Sequence, residues 1–179
     1  ESHALFLGNS LPVREVDFFG SGNGSEVKVG LNRGASGIDG LLASSAGYSK
    51  GLNQPLTLLL GDLSLVHDLN SLKLISESPK PIVLIVLNNH GGGIFSFLPI
   101  SEHKDIFETY FSTPHSLEFK DAAKMFKLSY FNPESPEEFE SIYLKQASAD
   151  KSCIIEVNTL KEDNIRVQKE WTEFLHQNR

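Results

Sequence analysis

"PIVLIVLNNHGGGIF", residues 81–95, joins two kinds of sequence. Pro81 to Leu87 is an unbroken apolar run. Asn88, Asn89, His90 and the glycines at 91–93 follow it directly. A strand with one solvated face alternates apolar and polar residues, whereas an unbroken run suits a strand covered on both faces, as inside a parallel sheet. The polar, glycine-rich residues then fall at the strand's carboxyl end, where open α/β sheets bind their ligands.

Similar runs recur on either side. Strands are expected at 3–8 ("HALFLG"), 26–30 ("EVKVG"), 56–61 ("LTLLLG"), 82–89 and 153–158 ("CIIEVN"), with a shorter one at 128–131. Helices are expected over 36–51, 64–78, 116–127, 135–148 and 164–177. In 64–78, Leu65, Leu69, Leu72, Leu74 and Ile75 fall near helical spacing. Ser116 and Ser135 suit N-caps, and Pro136 suits a first turn. Residues 100–116 read as a mobile loop or short helices. Strands alternating with helices predict a single α/β domain over 1–179, three-layered α/β/α with a mostly parallel central sheet.

The 179 residues suffice for one sizeable core. A formal net charge of −7 argues against a general nucleic-acid binder, whose footprint is basic. Cys153 is the single cysteine and sits in an apolar run. No disulfide forms within the chain, and a reducing compartment is expected. No apolar run is long enough for a membrane span, and no signal peptide is recognisable. The chain opens "ESHALFLG", without Met and almost at once in a strand, so a piece of a longer polypeptide is expected.

Four strand ends carry polar, glycine-bearing turns: "GNS" 8–10, "LNRGASG" 31–37, "GDLS" 61–64 and "NNHGGG" 88–93. Asp62 and Ser64 suit the capping of a following helix. They equally suit a metal ligand and a phosphate contact at a helix N-terminus. If strands 56–61 and 82–89 are neighbours, Asp62 converges with one asparagine. Carboxylate, amide and backbone carbonyl oxygens are hard ligands that fit Mg²⁺. Strand alternation turns Asn88 and Asn89 to opposite sides, so one of them is a ligand. Glycines 91 and 92 let backbone approach such a group closely. His90 has no His or Cys partner at ligand spacing.

Asp62 and Asn89 stand 27 positions apart at the ends of successive strands. That pattern resembles the cofactor motif of the thiamine-diphosphate enzyme superfamily and its fold. The motif usually reads Gly-Asp-Gly; here Leu63 replaces the third glycine. "GNSLPVR" 8–14, "NRGASGIDG" 32–40, "GDLSLVHDLNSL" 61–72 and "NNHGGGIFSFLP" 88–99 together resemble the C-terminal, diphosphate-binding domain of the 2-succinyl-5-enolpyruvyl-6-hydroxy-3-cyclohexene-1-carboxylate synthase family. In that family the position of Leu63 usually holds a large aliphatic residue. The close match covers about residues 5–100.

The resemblance implies a transferase of menaquinone or phylloquinone biosynthesis. It implies thiamine diphosphate and Mg²⁺ or Mn²⁺ as cofactors, with Asp62, Asn89 and the Gly91 carbonyl as metal ligands. Leu63, Ser64, Gly92, Ile94 and, more weakly, Ser36 would contact the cofactor. Ile94 and Phe95 would wall the reacting carbon; without the motif, core packing is the favoured reading of the pair. Ser10, Arg14 and Arg33 would receive carboxylates of 2-oxoglutarate and isochorismate; plain turn salt bridges are the other reading of the arginines. The reaction would be decarboxylation of 2-oxoglutarate and addition of the succinyl carbanion to isochorismate. The activating glutamate belongs to a pyrimidine-binding domain of a partner subunit. That domain and the middle domain do not fit in 179 residues, so the chain alone is expected to be inactive, in a homodimer or homotetramer. A cytoplasmic location follows, with a plastid as the other option. Three other readings are another thiamine-diphosphate 2-oxo acid decarboxylase or synthase, a non-catalytic module of this fold, and a dinucleotide binder. The last needs a Gly-x-Gly-x-x-Gly turn, and "GSGNG" 20–24 lacks its final spacing.

Overall fold

In the computed structural model, which describes residues 3–21 and 26–177, six strands form one sheet. They are β1 (Ala4–Leu7), β2 (Val29–Leu31), β3 (Leu56–Gly61), β4 (Ile82–Asn88), β5 (Ser129–Phe131) and β6 (Cys153–Asn158). Their order is β2-β1-β3-β4-β6-β5, and every pairing is parallel. The "GSGNG" turn lies partly outside the described residues.

β4 is the centre of this sheet, and its sequence shows why. Ile82, Leu84 and Val86 enter one core cluster with Leu56, Leu58 and Leu60 of β3. Val83 and Ile85 enter a second cluster, on the opposite face, with Cys153 and Ile155. Both faces are therefore dry, and polar alternation has no place along the strand. The first face is covered by α2 (Leu41–Leu52), α3 (Asp62–His67), α4 (Leu72–Ser76) and α6 (Lys120–Met125). The second is covered by α7 (Pro136–Ala147), through Phe139, Ile142 and Tyr143. α1 (Leu11–Phe19), α5 (Lys104–Phe107) and α8 (Lys161–Gln177) complete the helices.

Several boundaries differ from the sequence expectation, each for a local reason. Residues 64–78 do not form one helix. The chain breaks at Asp68 (φ −125°, ψ 27°) between α3 and a 3₁₀ turn at Leu69–Ser71. Asp68 is buried, and its carboxylate accepts from the Leu42 and Ala43 N–H groups, capping α2 from a distant segment. α1 was unexpected; Pro12 sits in its first turn and Gly20 ends it. Residues 36–40 are turns, and α2 begins at Leu41. Ser135 caps α7 as expected, accepting from Glu138 N at 3.2 Å. Ser116 caps nothing, because 116–119 is not helical. Residues 93–112 wind through 3₁₀, α and π turns.

The connection from β1 leads outward to β2, whereas that from β3 leads the other way to β4. The strand order therefore reverses between β1 and β3. A crevice opens outside the carboxyl ends at such a point.

Candidate functional site

A cavity of about 400 Å³ occupies that crevice. Its lining includes Ser10 and Arg14 beyond β1, Arg33 and Ser36 beyond β2, Asp62, Leu63 and Ser64 beyond β3, and Asn89, Gly91, Gly92, Ile94 and Phe95 beyond β4. All twelve residues singled out in the sequence thus face one space. Four separate chain segments converge there because the strands are parallel and in register. Gly61 pairs with Leu87, so Asp62 and Asn88 leave the sheet side by side, with Asn89 next.

Asp62 is buried. Its Oδ1 accepts from Leu63 N at 2.7 Å and its Oδ2 from Gly91 N at 3.0 Å. Burial pushes its carboxyl above the usual carboxylate value, and those two N–H groups pull it back. Asn89 turns its amide oxygen toward two acceptors, Asp62 Oδ2 at 3.2 Å and the Gly91 carbonyl at 2.7 Å. Turned over, the amide nitrogen would donate to both. The flipped amide needs no ion; with its oxygen inward, the three oxygens repel unless a cation sits among them. Their chemistry, carboxylate, amide and carbonyl, is that of a hard divalent ion such as Mg²⁺ or Mn²⁺. Among the described residues no three His, Cys, Asp or Glu side chains gather at one point, so no soft-metal cage competes.

Asn88 turns the other way. It is fully buried, donates to Glu156 Oε1 at 2.6 Å and to the Leu117 carbonyl at 2.9 Å, and accepts from His90 N at 3.1 Å. It is scaffold, while Asn89 faces the cavity.

The turns themselves are strained. Ser10 (φ 73°), His90 (φ 59°) and Gly91 (φ 152°) hold positive φ around the site. A β-carbon on Gly91 would meet the Ser112 carbonyl at 2.5 Å, so only glycine lets this backbone enter. On the rim, Arg33 donates to Asn9 Oδ1 and Asn9 to the Gly37 carbonyl, tying the glycine-bearing turn to the end of β1. Arg14 donates to the Ser10 carbonyl at 2.6 Å. Both arginines remain exposed at the mouth. Ile94 is half-buried, and Phe95 packs edge-on against Phe111 at 5.7 Å.

Sequence reasoning missed Asn9 and His115. Asn9 stood in the quoted "GNS" turn and was passed over for Ser10. His115 lies in a stretch without periodicity, and nothing local marks it.

No protein-family model matches the chain. It is 49% identical over 167 residues to a 2-succinyl-5-enolpyruvyl-6-hydroxy-3-cyclohexene-1-carboxylate synthase of Chlorobium phaeobacteroides (strain BS1), covering 92% of this chain and 29% of the relative. It is 48% identical over 170 residues to the synthase of that name from Rubrobacter xylanophilus, covering 95% and 29%. Among solved structures it resembles benzoylformate decarboxylase from Polynucleobacter necessarius (TM-score 0.73, 17% identity, 90% of this chain and 30% of that one). It also resembles the thiamine diphosphate-dependent 4-hydroxybenzoylformate decarboxylase of Rhodococcus jostii RHA1 (TM-score 0.68, 18% identity, 89% and 30%). These structural likenesses show the fold, which is that of thiamine-diphosphate-dependent enzymes. The chain spans about 29% of the length of the curated relatives it matches. Over the portion it spans, the chain is similar to 2-succinyl-5-enolpyruvyl-6-hydroxy-3-cyclohexene-1-carboxylate synthases at 48–49% identity.

Proposed function

We propose that this chain is the diphosphate- and metal-binding portion of a synthase that decarboxylates 2-oxoglutarate and adds the succinyl carbanion to isochorismate. The observation that carries this reading is the meeting of three oxygens, from Asp62, Asn89 and Gly91, at the strand-order reversal beside an open cavity. Those residues would hold Mg²⁺ or Mn²⁺. Leu63, Ser64 and Gly92 line the cavity beside them, where the diphosphate of thiamine diphosphate would lie, with Ser36 across the mouth. Thiamine diphosphate supplies the electron sink for decarboxylation. Ile94 and Phe95 offer apolar surface beside the place where the reacting carbon would lie, which would favour loss of a carboxylate's charge. Arg14 and Arg33, with Ser10, offer forked donors to carboxylates, which favours a substrate pair richer in carboxylates than an arylglyoxylate.

The residue that activates the cofactor lies outside this chain in the same reading. A pyrimidine-binding domain of a partner subunit completes the site, in at least a dimer. Among the described residues no helix is long and apolar enough to cross a membrane, and the free Cys153 supports a reducing, cytoplasmic setting.

Isothermal calorimetry of the chain tests the binding. Heat is expected with thiamine diphosphate plus Mg²⁺, none with NAD, and none for Asp62→Ala. Cofactor binding by Asp62→Ala equal to that of the parent would refute the metal assignment.

A further inference from the structure

Beside Asp62, and outside the cavity lining, stands His115. Its side chain is 13% exposed, and Nε2 lies 3.2 Å from Asp62 Oδ2. That approach is off the N–H direction, so the buried Nε2 has no aligned hydrogen-bond partner. The other ring nitrogen is committed: Nδ1 accepts from Leu117 N at 3.1 Å. An accepting Nδ1 carries no proton, which leaves the single ring N–H on Nε2, facing Asp62.

The ring does not choose this orientation alone. The carbonyl of Leu117 accepts from Asn88, and Asn88 donates to the fully buried Glu156. The second Glu156 oxygen accepts from Phe119 N at 2.9 Å and from the Tyr130 hydroxyl at 2.8 Å. A closed chain of hydrogen bonds thus runs from β6 through β4 to the His115 ring. His115 N also donates to the His90 carbonyl at 3.2 Å, fixing the same segment to the glycine turn.

We infer that His115 is a positioning residue for Asp62: its Nε2–H, set by the Leu117–Asn88–Glu156 chain, fixes which Asp62 oxygen faces the metal. This rests on the metal reading of Asp62. A hydrogen bond to the outer lone pair of a ligating carboxylate orients it and removes its freedom to rotate away. The idle Nε2–H supplies that bond after a small turn of the carboxylate toward the ion. Catalytic hydrogen bonds are commonly misaligned before the ligand arrives.

The test is Mn²⁺ binding to the full chain in the presence of thiamine diphosphate, followed by electron paramagnetic resonance. Parent, His115→Gln, His115→Leu and Asp62→Ala are compared. Glutamine places an N–H near the position of Nε2; leucine fills the space without a donor. His115→Leu is expected to weaken Mn²⁺ binding about 10- to 100-fold, and His115→Gln to recover most of that loss. Thermal unfolding of each variant without metal checks folding. Long-range ¹H–¹⁵N NMR of the parent is expected to show the His115 proton on Nε2. Parent-like affinity in His115→Leu, or equal losses in both His115 variants, overturns the inference. So does a proton on Nδ1. Parent that binds no Mn²⁺, or Asp62→Ala that binds like parent, instead overturns the metal reading beneath it.

Discussion

Gly91→Ala is the sharpest single test of how this site is built. The new β-carbon would lie 2.5 Å from the Ser112 carbonyl oxygen, where ordinary contact begins at 3.4 Å, so the backbones must part by about 0.9 Å. That carbonyl also accepts from Gly92 N at 2.6 Å, and parting stretches this bond. The φ of 152° adds strain of about 1–3 kcal/mol for an L-residue. Overpacking adds about 1–3 kcal/mol and the stretched bond about 1 kcal/mol. Reduced freedom of the unfolded chain returns only about 0.4–1 kcal/mol. These contributions overlap, and a net loss of about 3–5 kcal/mol is expected. At about 2–4 °C per kcal/mol for a chain of this size, Tm falls by roughly 6–20 °C. Gly47→Ala is the control: it lies inside α2 with nothing within 4 Å of the added carbon. It is expected to raise stability by about 0.5–1 kcal/mol. Urea unfolding followed by far-ultraviolet circular dichroism reads both. Because the proposed function makes the Gly91 carbonyl a metal ligand, affinity for thiamine diphosphate with Mg²⁺ should fall at least about tenfold at temperatures where the variant is folded. A Gly91→Ala protein within about 0.5 kcal/mol of the parent, binding cofactor normally, would refute this account of the turn.

The adjacent asparagines separate site from scaffold: Asn89→Ala is expected to abolish metal-dependent cofactor binding while leaving apo stability within about 0.5 kcal/mol. Asn88→Ala strips three hydrogen bonds, one of them fully buried, and leaves a Glu156 oxygen unpartnered, costing about 2–4 kcal/mol in the same unfolding assay. Exchanged phenotypes would reverse the assignment. Glu156→Gln sets an amide N–H₂ against one of three donors and is expected to cost about 1–3 kcal/mol, with Mn²⁺ affinity falling in the same direction as for His115→Leu. Burial lifts the Cys153 thiol from 9.0 to about 12. A raised value stabilises fully below pH 9 and is lost as pH climbs through 12, on the order of 4 kcal/mol in all. Tyr130, raised by burial and by Glu156, acts in the same direction at still higher pH. Cys153→Ala should therefore flatten the alkaline fall in unfolding free energy; parallel profiles for parent and variant would exclude that origin. Iodoacetamide at pH 8 is expected to spare Cys153 until the chain unfolds.

Most of the sheet was legible because strand signals here are lexical: a run such as 82–87 states its own burial. The cavity's lining was legible for the same reason, since four turns sit directly after four such runs. What stayed hidden depends on partners far away in sequence. Asp68 ends α3 because it is needed at the N-terminus of α2, 26 positions earlier. Residues 116–119 pattern as helix and cap, yet Leu117 N and O are claimed by His115 and Asn88, and Phe119 N by Glu156. These tertiary bonds fix residues 117–119 in a non-helical path, and the helix starts at Lys120.

That failed helix is informative in its own right. Local preference and tertiary structure usually agree, and disagreements collect where function has imposed a constraint. Leu117 and Phe119 hold Asn88, the His115 ring and the buried Glu156 through bonds that outweigh the few tenths of a kcal/mol that helix propensity offers. The stretch is held open by the same hydrogen bonds that fix the His115 ring beside Asp62. Residues 116–119 thus mark the hidden half of the site: the visible half follows the strands, and the supporting half lies where a helix ought to begin and does not.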